Sequence, residues 1–316
     1  GRPVSGVVAV VVAYNRAELL AQCLDGLAEQ VVAPRGVVVI DNASTDGSAQ
    51  VARQHRVGAQ VVSLPENTGG AGGFAAGIAR ALAVYPDARW VWLMDDDTVP
   101  TPGALEALLD AAARYPGQPA VLVSRAVWRD GTEHPMNRPR TRVGLTRSLH
   151  RHAEEAGCRQ VRSASFVSVL MDVREVRAQG LPRAAFFLWN DDFEYTMRLL
   201  RHRVGLYVPQ SVVRHLTRTL GSSDSDPGER FRFEVRNKMW TFRYGTGLGA
   251  LDRLLYGLGT TRRWVRTYLG STDRAALVRA GWRGAREGLG APRPTTRILA
   301  ATPVGDDVAR LEAGAA

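Results

Sequence analysis

Alternating strands and helices over the first 125 residues constrain the fold more than any other feature of the sequence. Uninterrupted apolar runs such as "GVVAVVVAYN" and "GVVVIDNAS" are typical of strands buried on both faces. Each run is followed by a segment with apolar residues at helical spacing, and the last such pair is "RWVWLMDDD" and "PGALEALLDAAARY". Repeated units of this length predict an α/β fold with a mostly parallel central sheet and helices on both faces.

Polar segments stand at the ends of the four predicted strands. They read "AYNR", "DNASTD", "ENTGG" and "DDD" in chain order. One such segment alone is typical of a polar loop or a helix cap. Because ligands bind at the carboxyl ends of the strands in sheets of this kind, four successive polar strand ends indicate a binding site.

Three adjacent carboxylates, Asp95, Asp96 and Asp97, follow the fourth predicted strand. Ionised carboxylates repel one another and resist burial, so the cluster is either a solvated turn or the partner of a positive charge. Two of the three could reach one cation, and hard oxygen ligands suit Mg²⁺ or Mn²⁺. Such a metal would bind a diphosphate and stabilise the negative charge that develops when the diphosphate leaves.

Residues 6–220 resemble glycosyltransferase family 2, which contains inverting nucleotide-sugar enzymes of the GT-A fold. The resemblance lies in "VVAYNR", "VVVIDNASTDGS", "ENTGGAGGFAAG" and "LMDDDT", and it is strongest to bacterial galactofuranosyltransferases and rhamnosyltransferases. It implies that Asp41 contacts the base or ribose, that Asp96 points toward the sugar, and that Asp95 and Asp97 bind the metal. The other donor-binding residues that these motifs imply are Ala13, Tyr14, Asn15, Arg16, Asn42, Asn67 and Gly70.

A second acidic cluster lies in "FFLWNDDFEYTMR", at a predicted helix start where the helix dipole favours anions. An inverting transfer needs one carboxylate to accept the proton of the attacking hydroxyl. The family resemblance places this base on Asp192, with Asp191 beside it, although Asn190 departs slightly from the family pattern. From the same segment we predict Trp189 and Glu194 as acceptor-binding residues.

His215 follows a further predicted strand in "SVVRHLTRT". A lone histidine is most often structural, but the resemblance implies that this one completes the metal site, and neutral imidazole suits Mn²⁺. The predicted cofactor is therefore Mn²⁺ or Mg²⁺, bound by Asp95, Asp97 and His215.

The later part of the chain is strongly basic. Residues 126–316 hold 32 Arg or Lys and 19 acidic residues, whereas residues 1–125 hold 9 and 12. The segment "RFRFEVRNKMWTFRYG" resembles the helix with an Arg-Asn pair that follows the catalytic domain in the rhamnosyl- and galactofuranosyl-transferring relatives. Within residues 250–290, arginines are mixed with aromatic residues, a pattern typical of helices that lie on an acidic membrane, pack on the domain or contact a second subunit.

The predicted domain organisation is a GT-A catalytic domain over 1–222, a helical region over 223–296 and a loose tail over 297–316. The catalytic domain divides into a nucleotide-binding half over 1–125 and an acceptor half over 126–222. No apolar run reaches the roughly 18 residues of a membrane-spanning helix, and we recognise no signal peptide. Cys23 and Cys158 are far apart, so we expect a reducing cytoplasm, with peripheral contact at the inner face of the plasma membrane through 250–290.

These features predict an inverting, metal-dependent glycosyltransferase that moves galactofuranose or a deoxyhexose such as rhamnose from UDP or dTDP. The acceptor would be a hydroxyl of a glycan, a lipid-linked glycan or a secondary metabolite. Two other classes stay open at this point. "GAGGFA" matches the dinucleotide fingerprint of NAD-dependent oxidoreductases, although residues 65–68 separate it from the preceding strand. A pI of 10.3 suits a nucleic-acid-binding protein, although the acidic first half argues against a nucleic-acid partner.

Overall fold

One large sheet with helices on both faces organises the chain. The structure is a computed structural model that describes residues 1–218 and 226–315, apart from the side chain of Met136. The strands are β1 (Val7–Ala13), β2 (Gly36–Asp41), β3 (Gln60–Ser63), β4 (Trp90–Asp95), β5 (Thr98–Pro100), β6 (Val121–Val127), β7 (Arg140–Thr141), β8 (Arg159–Ser163), β9 (Ser168–Asp172) and β10 (Gly205–His215). The helices are α1 (Ala17–Ala28), α2 (Ser48–Gln54), α3 (Gly69–Val84), α4 (Ala104–Arg114), α5 (Arg147–Glu155), α6 (Val173–Gln179), α7 (Asp191–Leu199), α8 (Phe231–Tyr244), α9 (Ala250–Gly270), α10 (Arg274–Gly288), α11 (Thr295–Ile298) and α12 (Gly305–Gly314).

The sheet has ten strands in the described residues, in the order β3-β2-β1-β4-β9-β6-β10-β8-β7, with β5 paired to β10. β1 is parallel to β2 and to β4, β2 is parallel to β3, and β6 is parallel to β10. β9 lies between β4 and β6 and is antiparallel to both, so from β3 to β10 it alone runs in the opposite direction. This arrangement confirms the predicted α/β fold with a mostly parallel sheet.

Each face of the sheet carries its own apolar layer. Successive side chains of a strand point to opposite faces, and every residue of β1 is buried. Val8 and Val10 belong to the cluster that contains Ile78 of α3, whereas Ala9 belongs to the cluster that contains Leu24 of α1. The continuous apolar runs of the sequence are therefore explained by helices that cover both faces.

The strand register brings the polar strand ends to one edge of the sheet. Asp41 at the end of β2 pairs with Ala13 at the end of β1, and Asp95 at the end of β4 pairs with the neighbouring Val12. β10 then returns antiparallel to β5, which places His215 opposite Thr98. Residues that are far apart in the sequence thus meet beside the three carboxylates.

The prediction of a loose tail over 297–316 is wrong for the residues described. α12 packs against α3, and Val304, Val308 and Leu311 are buried in the same cluster as the core of the sheet. Asp307 of α12 also forms an ion pair of 3.2 Å with Arg80. These apolar residues recur at helical spacing, and burying them against α3 outweighs the entropy of a free tail. The predicted domain boundary at 222 lies outside the described residues.

Helices make up the chain after residue 226. α8 packs against α10. α9 is largely exposed, and Thr260 is its one buried residue. Across the described ranges, no helix combines the length and the apolar character needed to cross a membrane.

Candidate active site

A cavity of about 520 Å³ lies between the carboxyl-terminal edge of the sheet and helices α7, α8 and α9. We call it the central cavity. Predicted site residues of three kinds reach its wall: donor-binding or metal-binding, catalytic, and acceptor-binding. They are Gly70, Asp95, Trp189, Asp191, Asp192 and His215.

Asp95, Asp97 and His215 form a cluster that could hold a metal ion. One potential ligand atom from each lies within 4.8 Å of the others. Asp97 and His215 are buried and Asp95 is half-buried. Nε2 of His215 lies 3.1 Å from Oδ1 of Asp97. The structure therefore brings together the three residues that the family resemblance assigned to the metal.

The hydrogen bonds of His215 show that its Nε2 atom suits a metal. Nδ1 of His215 lies 2.7 Å from Oδ1 of Asn137, and Nδ2 of Asn137 donates to Oγ of Ser165 at 3.4 Å. Nδ1 therefore carries the proton, and in neutral imidazole Nε2 presents a lone pair. Oδ1 of Asp97, which faces it, is buried and has no hydrogen-bond partner in the described part of the chain. Two such atoms at 3.1 Å are stable only with a cation or proton close to both, so the donor set fits a divalent cation.

Arg16 and the amide of Tyr14 offset part of the negative charge of the carboxylates. Tyr14 donates its backbone N–H to Asp96 at 2.9 Å, and Nη1 of Arg16 lies 3.1 Å from both Asp96 and Asp97. Burial nevertheless raises the pKa of Asp96 to about 6, and desolvation with the two neighbouring carboxylates raises the pKa of Asp95 well above its usual value. The cations and N–H donors of the protein therefore do not fully offset the cost of ionising Asp95 and Asp96.

Two of the predicted donor-binding residues hold the loops instead of facing the central cavity. Asn42 is buried, accepts the N–H of Thr68 at 2.8 Å and donates to the carbonyl of Gly69 at 2.9 Å. Asp41 is buried and accepts the N–H of Ser44 at 3.2 Å. Their side chains therefore shape the edge of the sheet next to the cavity.

The remaining donor-side residues form the surface beside the carboxylates. Asn15 has a positive φ of 50° and accepts the N–H of Thr45 at 2.7 Å, which joins the loops after β1 and β2. Asn67 is exposed and accepts the N–H of Gly69 at 2.9 Å. Ala13, in contrast, is fully buried at the end of β1, so it does not form part of this surface.

The two predicted catalytic carboxylates lie at the start of α7. Asp191 is buried, Asp192 is half-buried, and Oδ1 of Asp192 accepts the N–H of Phe193 at 2.7 Å. Burial and the charge of Asp192 raise the pKa of Asp191 well above its usual value. Burial also raises the pKa of Asp192, but Arg140 is one of the nearby cations that oppose this rise.

Glu194 does not lie where its predicted role requires. It is buried outside the lining of the central cavity, and it forms ion pairs of 3.1 Å with Arg183 and 3.0 Å with Arg198. A carboxylate that is fully paired inside the protein cannot bind an acceptor hydroxyl. Trp189, in contrast, lines the cavity, and the guanidinium of Arg230 lies 5.2 Å from its ring.

Sequence reasoning missed two cations near Asp192, the buried Lys238 and the exposed Arg140. Lys238 is the one lysine of the sequence, and its Nζ lies 4.4 Å from the ring of Phe193, while the guanidinium of Arg140 lies 4.8 Å from the same ring. Burial lowers the pKa of Lys238 to about 7, against the opposing effect of Glu234. A lysine in a chain that otherwise uses arginine was a signal that could have drawn attention to this position.

The family comparison agrees with this geometry. The sequence model of the family described as "Glycosyl transferase family 2" matches residues 8–168. The chain belongs to glycosyltransferase family 2. This membership favours the predicted glycosyltransferase over the oxidoreductase and nucleic-acid-binding alternatives.

Curated relatives within glycosyltransferase family 2 carry related names. Galactofuranosyltransferase GlfT1 of Mycolicibacterium smegmatis is 30% identical over 199 residues, which span 62% of this chain and 65% of that protein. GlfT1 of Mycobacterium tuberculosis is 29% identical over 253 residues, which span 73% of this chain and 80% of that protein. N-acetylglucosaminyl-diphospho-decaprenol L-rhamnosyltransferase of M. tuberculosis is 32% identical over 113 residues, which span 34% of this chain and 37% of that protein. The M. smegmatis match thus spans less than two thirds of its relative.

Solved glycosyltransferase structures share the fold. S. aureus TarS 1–349 in complex with UDP-GlcNAc has a TM-score of 0.58 at 13% identity, over 98% of this chain and 87% of that chain. Mannosyltransferase PcManGT from Pyrobaculum calidifontis in complex with GDP-Man and Mn²⁺ has a TM-score of 0.51 at 17% identity, over 99% and 86%. Identities this low are informative about fold alone, and they confirm the predicted GT-A fold with its helical carboxyl-terminal part.

Proposed function

We propose that the chain transfers galactofuranose, or a deoxyhexose such as rhamnose, from UDP or dTDP to an acceptor hydroxyl, with inversion at the anomeric carbon. The observation that carries this proposal is that Asp95 and His215, which cluster with Asp97, line the same cavity as Asp191 and Asp192. The names of the curated relatives support the two sugars. The UDP-GlcNAc bound to TarS supports a nucleotide-sugar donor.

Asp192 is the proposed general base. Its carboxylate accepts the proton of the acceptor hydroxyl while the hydroxyl oxygen bonds to the anomeric carbon and the bond from that carbon to the diphosphate breaks. The N–H of Phe193 orients this carboxylate, and Arg140 and Lys238 favour its ionised form. Asp191 is less suited to the role, because burial and the charge of Asp192 raise its pKa well above the usual value.

Mn²⁺ or Mg²⁺ is the proposed cofactor, bound by Asp95, Asp97 and His215. When bound, this cation supplies positive charge that stabilises the departing nucleoside diphosphate. The Mn²⁺ in the PcManGT complex supports a divalent cation here. Arg16 is half-exposed beside the same carboxylates, so it can also bind the diphosphate.

Calorimetry against a panel of nucleotide sugars tests the donor proposal. The panel contains UDP-galactofuranose, dTDP-rhamnose, UDP-GlcNAc and GDP-mannose, each with Mn²⁺, with Mg²⁺ and with chelator, and it includes NAD as a comparison. We expect tight, cation-dependent binding of a UDP- or dTDP-sugar and release of its nucleoside diphosphate when an acceptor is added. Binding of NAD with no binding of any nucleotide sugar would contradict the proposal.

A carbohydrate acceptor is supported by the aromatic residues of the cavity wall. Trp189, just before α7, and Trp264 of α9 both line the central cavity. Aromatic side chains bury a large apolar area and suit the apolar faces of sugar rings. A glycan end, free or linked to a lipid, therefore fits better than an acceptor without rings.

The outer face of α9 supports peripheral contact with an anionic membrane. Arg263 and Trp264 bind Glu234 of α8, which turns the opposite side of α9 to solvent. Apolar residues recur on that side at helical spacing, and the exposed Arg262 lies among them. The large exposed apolar residues of α9 are Leu251, Leu254, Leu255, Leu258, Val265, Tyr268 and Leu269. Apolar side chains flanked by arginines suit an acidic lipid surface, where a lipid-linked acceptor would also lie.

Arg262→Glu is expected to weaken binding to vesicles rich in anionic lipid by roughly fivefold or more, since one basic residue near such a surface contributes about 1 kcal/mol. Co-sedimentation with anionic and with neutral vesicles, at low and high salt, measures the effect. Arg53→Glu makes the same charge change on α2, which packs beside β3, and it should bind like wild type. If the wild-type protein does not bind anionic vesicles and Arg262→Glu changes the oligomeric state, this face is instead a subunit contact.

Lys238→Met is expected to move the acidic limb of the kcat/KM profile to higher pH. A nearby cation favours an ionised carboxylate, so its loss raises the pKa of Asp192 further and leaves the base protonated up to a higher pH. Burial lowers the pKa of Lys238 to about 7, so its amine is charged below that pH, and the profiles are compared there. Lys238→Arg keeps the charge and should keep the wild-type limb. Identical profiles for Lys238→Met and wild type would show that Lys238 does not affect the base.

A further inference from the structure

The segment over residues 186–190 leads into α7 with an unusual backbone. We call it the 186–190 turn. Phe187, Trp189 and Asn190 have positive φ angles of 61°, 66° and 64°, which are uncommon for residues other than glycine. With ψ of −69°, and with the N–H of Leu188 donating to the carbonyl of Phe186 at 2.7 Å, Phe187 forms a classic γ-turn, a rare and strained conformation. Such strain persists only where the surroundings determine it.

Asn237 of α8 helps to hold the backbone of this turn in its strained conformation. Its Nδ2 lies 2.9 Å from the carbonyl oxygen of Phe186, 2.7 Å from that of Leu188 and 2.8 Å from that of Trp189. Asn237 is fully buried, and its Oδ1 accepts Nε of Arg236 at 3.1 Å, which fixes the orientation of the amide. The amide of one side chain therefore contacts three carbonyl oxygens of the strained segment.

Three further contacts hold the turn in the same position. Nη2 of Arg236 donates to the carbonyl of Phe186 at 3.0 Å. The carbonyl of Phe187 accepts the N–H of Ala71 at the start of α3 at 3.2 Å. This approach requires Gly69, because a Cβ there would lie 2.2 Å from the oxygen of Phe187. Nδ2 of Asn190 donates to Oε2 of Glu234 at 2.7 Å. The turn is thus fixed between the donor-side helix α3 and the carboxyl-terminal helix α8.

We propose that Asn237 is a positioning residue for sugar transfer, which acts by holding the 186–190 turn. The turn carries Trp189 and leads directly to Asp191 and Asp192, so releasing its carbonyls lets the backbone relax and redirects all three side chains. The inference rests on the proposed function, because the role of Asp192 as base belongs to that proposal. It concerns the direction of the base and of the acceptor-side tryptophan, and the loops after β1 and β2 on the donor side should keep their positions.

Asn237→Ala is expected to lower kcat on the order of 10²-fold, because small displacements of a reacting group have effects of that size. Donor affinity in calorimetry should remain close to wild type. Thr241→Val is the matched control: Thr241 lies one turn further along α8, is equally buried, and its hydroxyl donates to the carbonyl of Asn237 within the helix. Its kcat should stay close to wild type. The nearly isosteric Asn237→Asp places a carboxylate against the same carbonyls and should lose as much kcat as the alanine variant.

Hydrogen exchange supplies a measurement that does not depend on activity. The N–H groups of Leu188 and Ala71 both donate to carbonyls of the turn, so both should exchange faster in Asn237→Ala or Asn237→Asp and remain protected in Thr241→Val. Wild-type kcat in a folded Asn237 variant overturns the proposal, as does a loss of kcat that parallels a loss of donor affinity with unchanged exchange. Absence of turnover in wild type would overturn the proposed function, and the exchange of Leu188 would still decide whether Asn237 holds the turn.

Discussion

Asp192→Asn is expected to turn over roughly 10²- to 10⁴-fold more slowly than wild type, because an amide cannot accept the proton of the acceptor hydroxyl. The substitution is nearly isosteric, and Asp192 is not part of the cluster proposed for the metal. Donor affinity should therefore stay close to wild type. Steady-state kinetics with a saturating donor, together with calorimetry on the same protein, measures the two effects separately.

Asp191→Asn is the comparison that tests which of the two carboxylates is the base. Both line the central cavity and burial raises both pKa values, but the charge of Asp192 raises the pKa of Asp191 further, whereas Arg140 and Lys238 oppose the rise at Asp192. Asp191→Asn should consequently lose less turnover than Asp192→Asn. The opposite order would assign the base to Asp191 and move the register of the family resemblance by one residue.

Asp97→Ala is expected to remove the cation dependence of donor binding. Removing groups that only orient metal ligands typically lowers metal affinity 10–100-fold, so losing an anionic ligand should lower it by roughly 100-fold or more. His215→Ala should weaken binding less, because it removes a neutral ligand and leaves both carboxylates. Titration of Mn²⁺ alone and of the donor with and without Mn²⁺ measures each variant.

Asp110→Ala is the matched control for this experiment, since Asp110 is exposed on α4 and lies outside the cluster. It should bind Mn²⁺ and donor like wild type. If Asp97→Ala keeps the wild-type affinity and the wild-type cation dependence, the proposed metal site is wrong.

Local patterns of the sequence determined the framework. Continuous apolar runs and helical spacing depend on neighbouring residues, so the strands and helices of the first 125 residues could be predicted without contacts. The strand ends followed, because parallel strands meet at one edge, and the register of Ala13 with Asp41 and of Val12 with Asp95 agrees with that expectation. α12 was missed although its apolar residues are spaced for a helix, because whether such a stripe stays free or becomes buried depends on the surface of α3.

The contacts that orient side chains were decided by the tertiary structure. His215 was assigned to the metal only through the family resemblance, and its place beside Asp97 arises because β10 returns antiparallel to β5. Glu194 lies near the predicted catalytic pair in the sequence, yet Arg183 and Arg198 hold it in the interior.

Asn237 and Lys238 lie far from Asp192 along the chain, and no local pattern indicates which face of α8 meets the 186–190 turn. The sequence by itself determined the fold class, the acidic clusters and the edge of the sheet where they meet, because these follow from burial and periodicity within short segments. Only the tertiary structure decided which side chains contact the turn, which cations lie near the proposed base, and which predicted residue lies outside the site. Those roles depend on distances between segments that the packing of α7, α8 and α9 brings together.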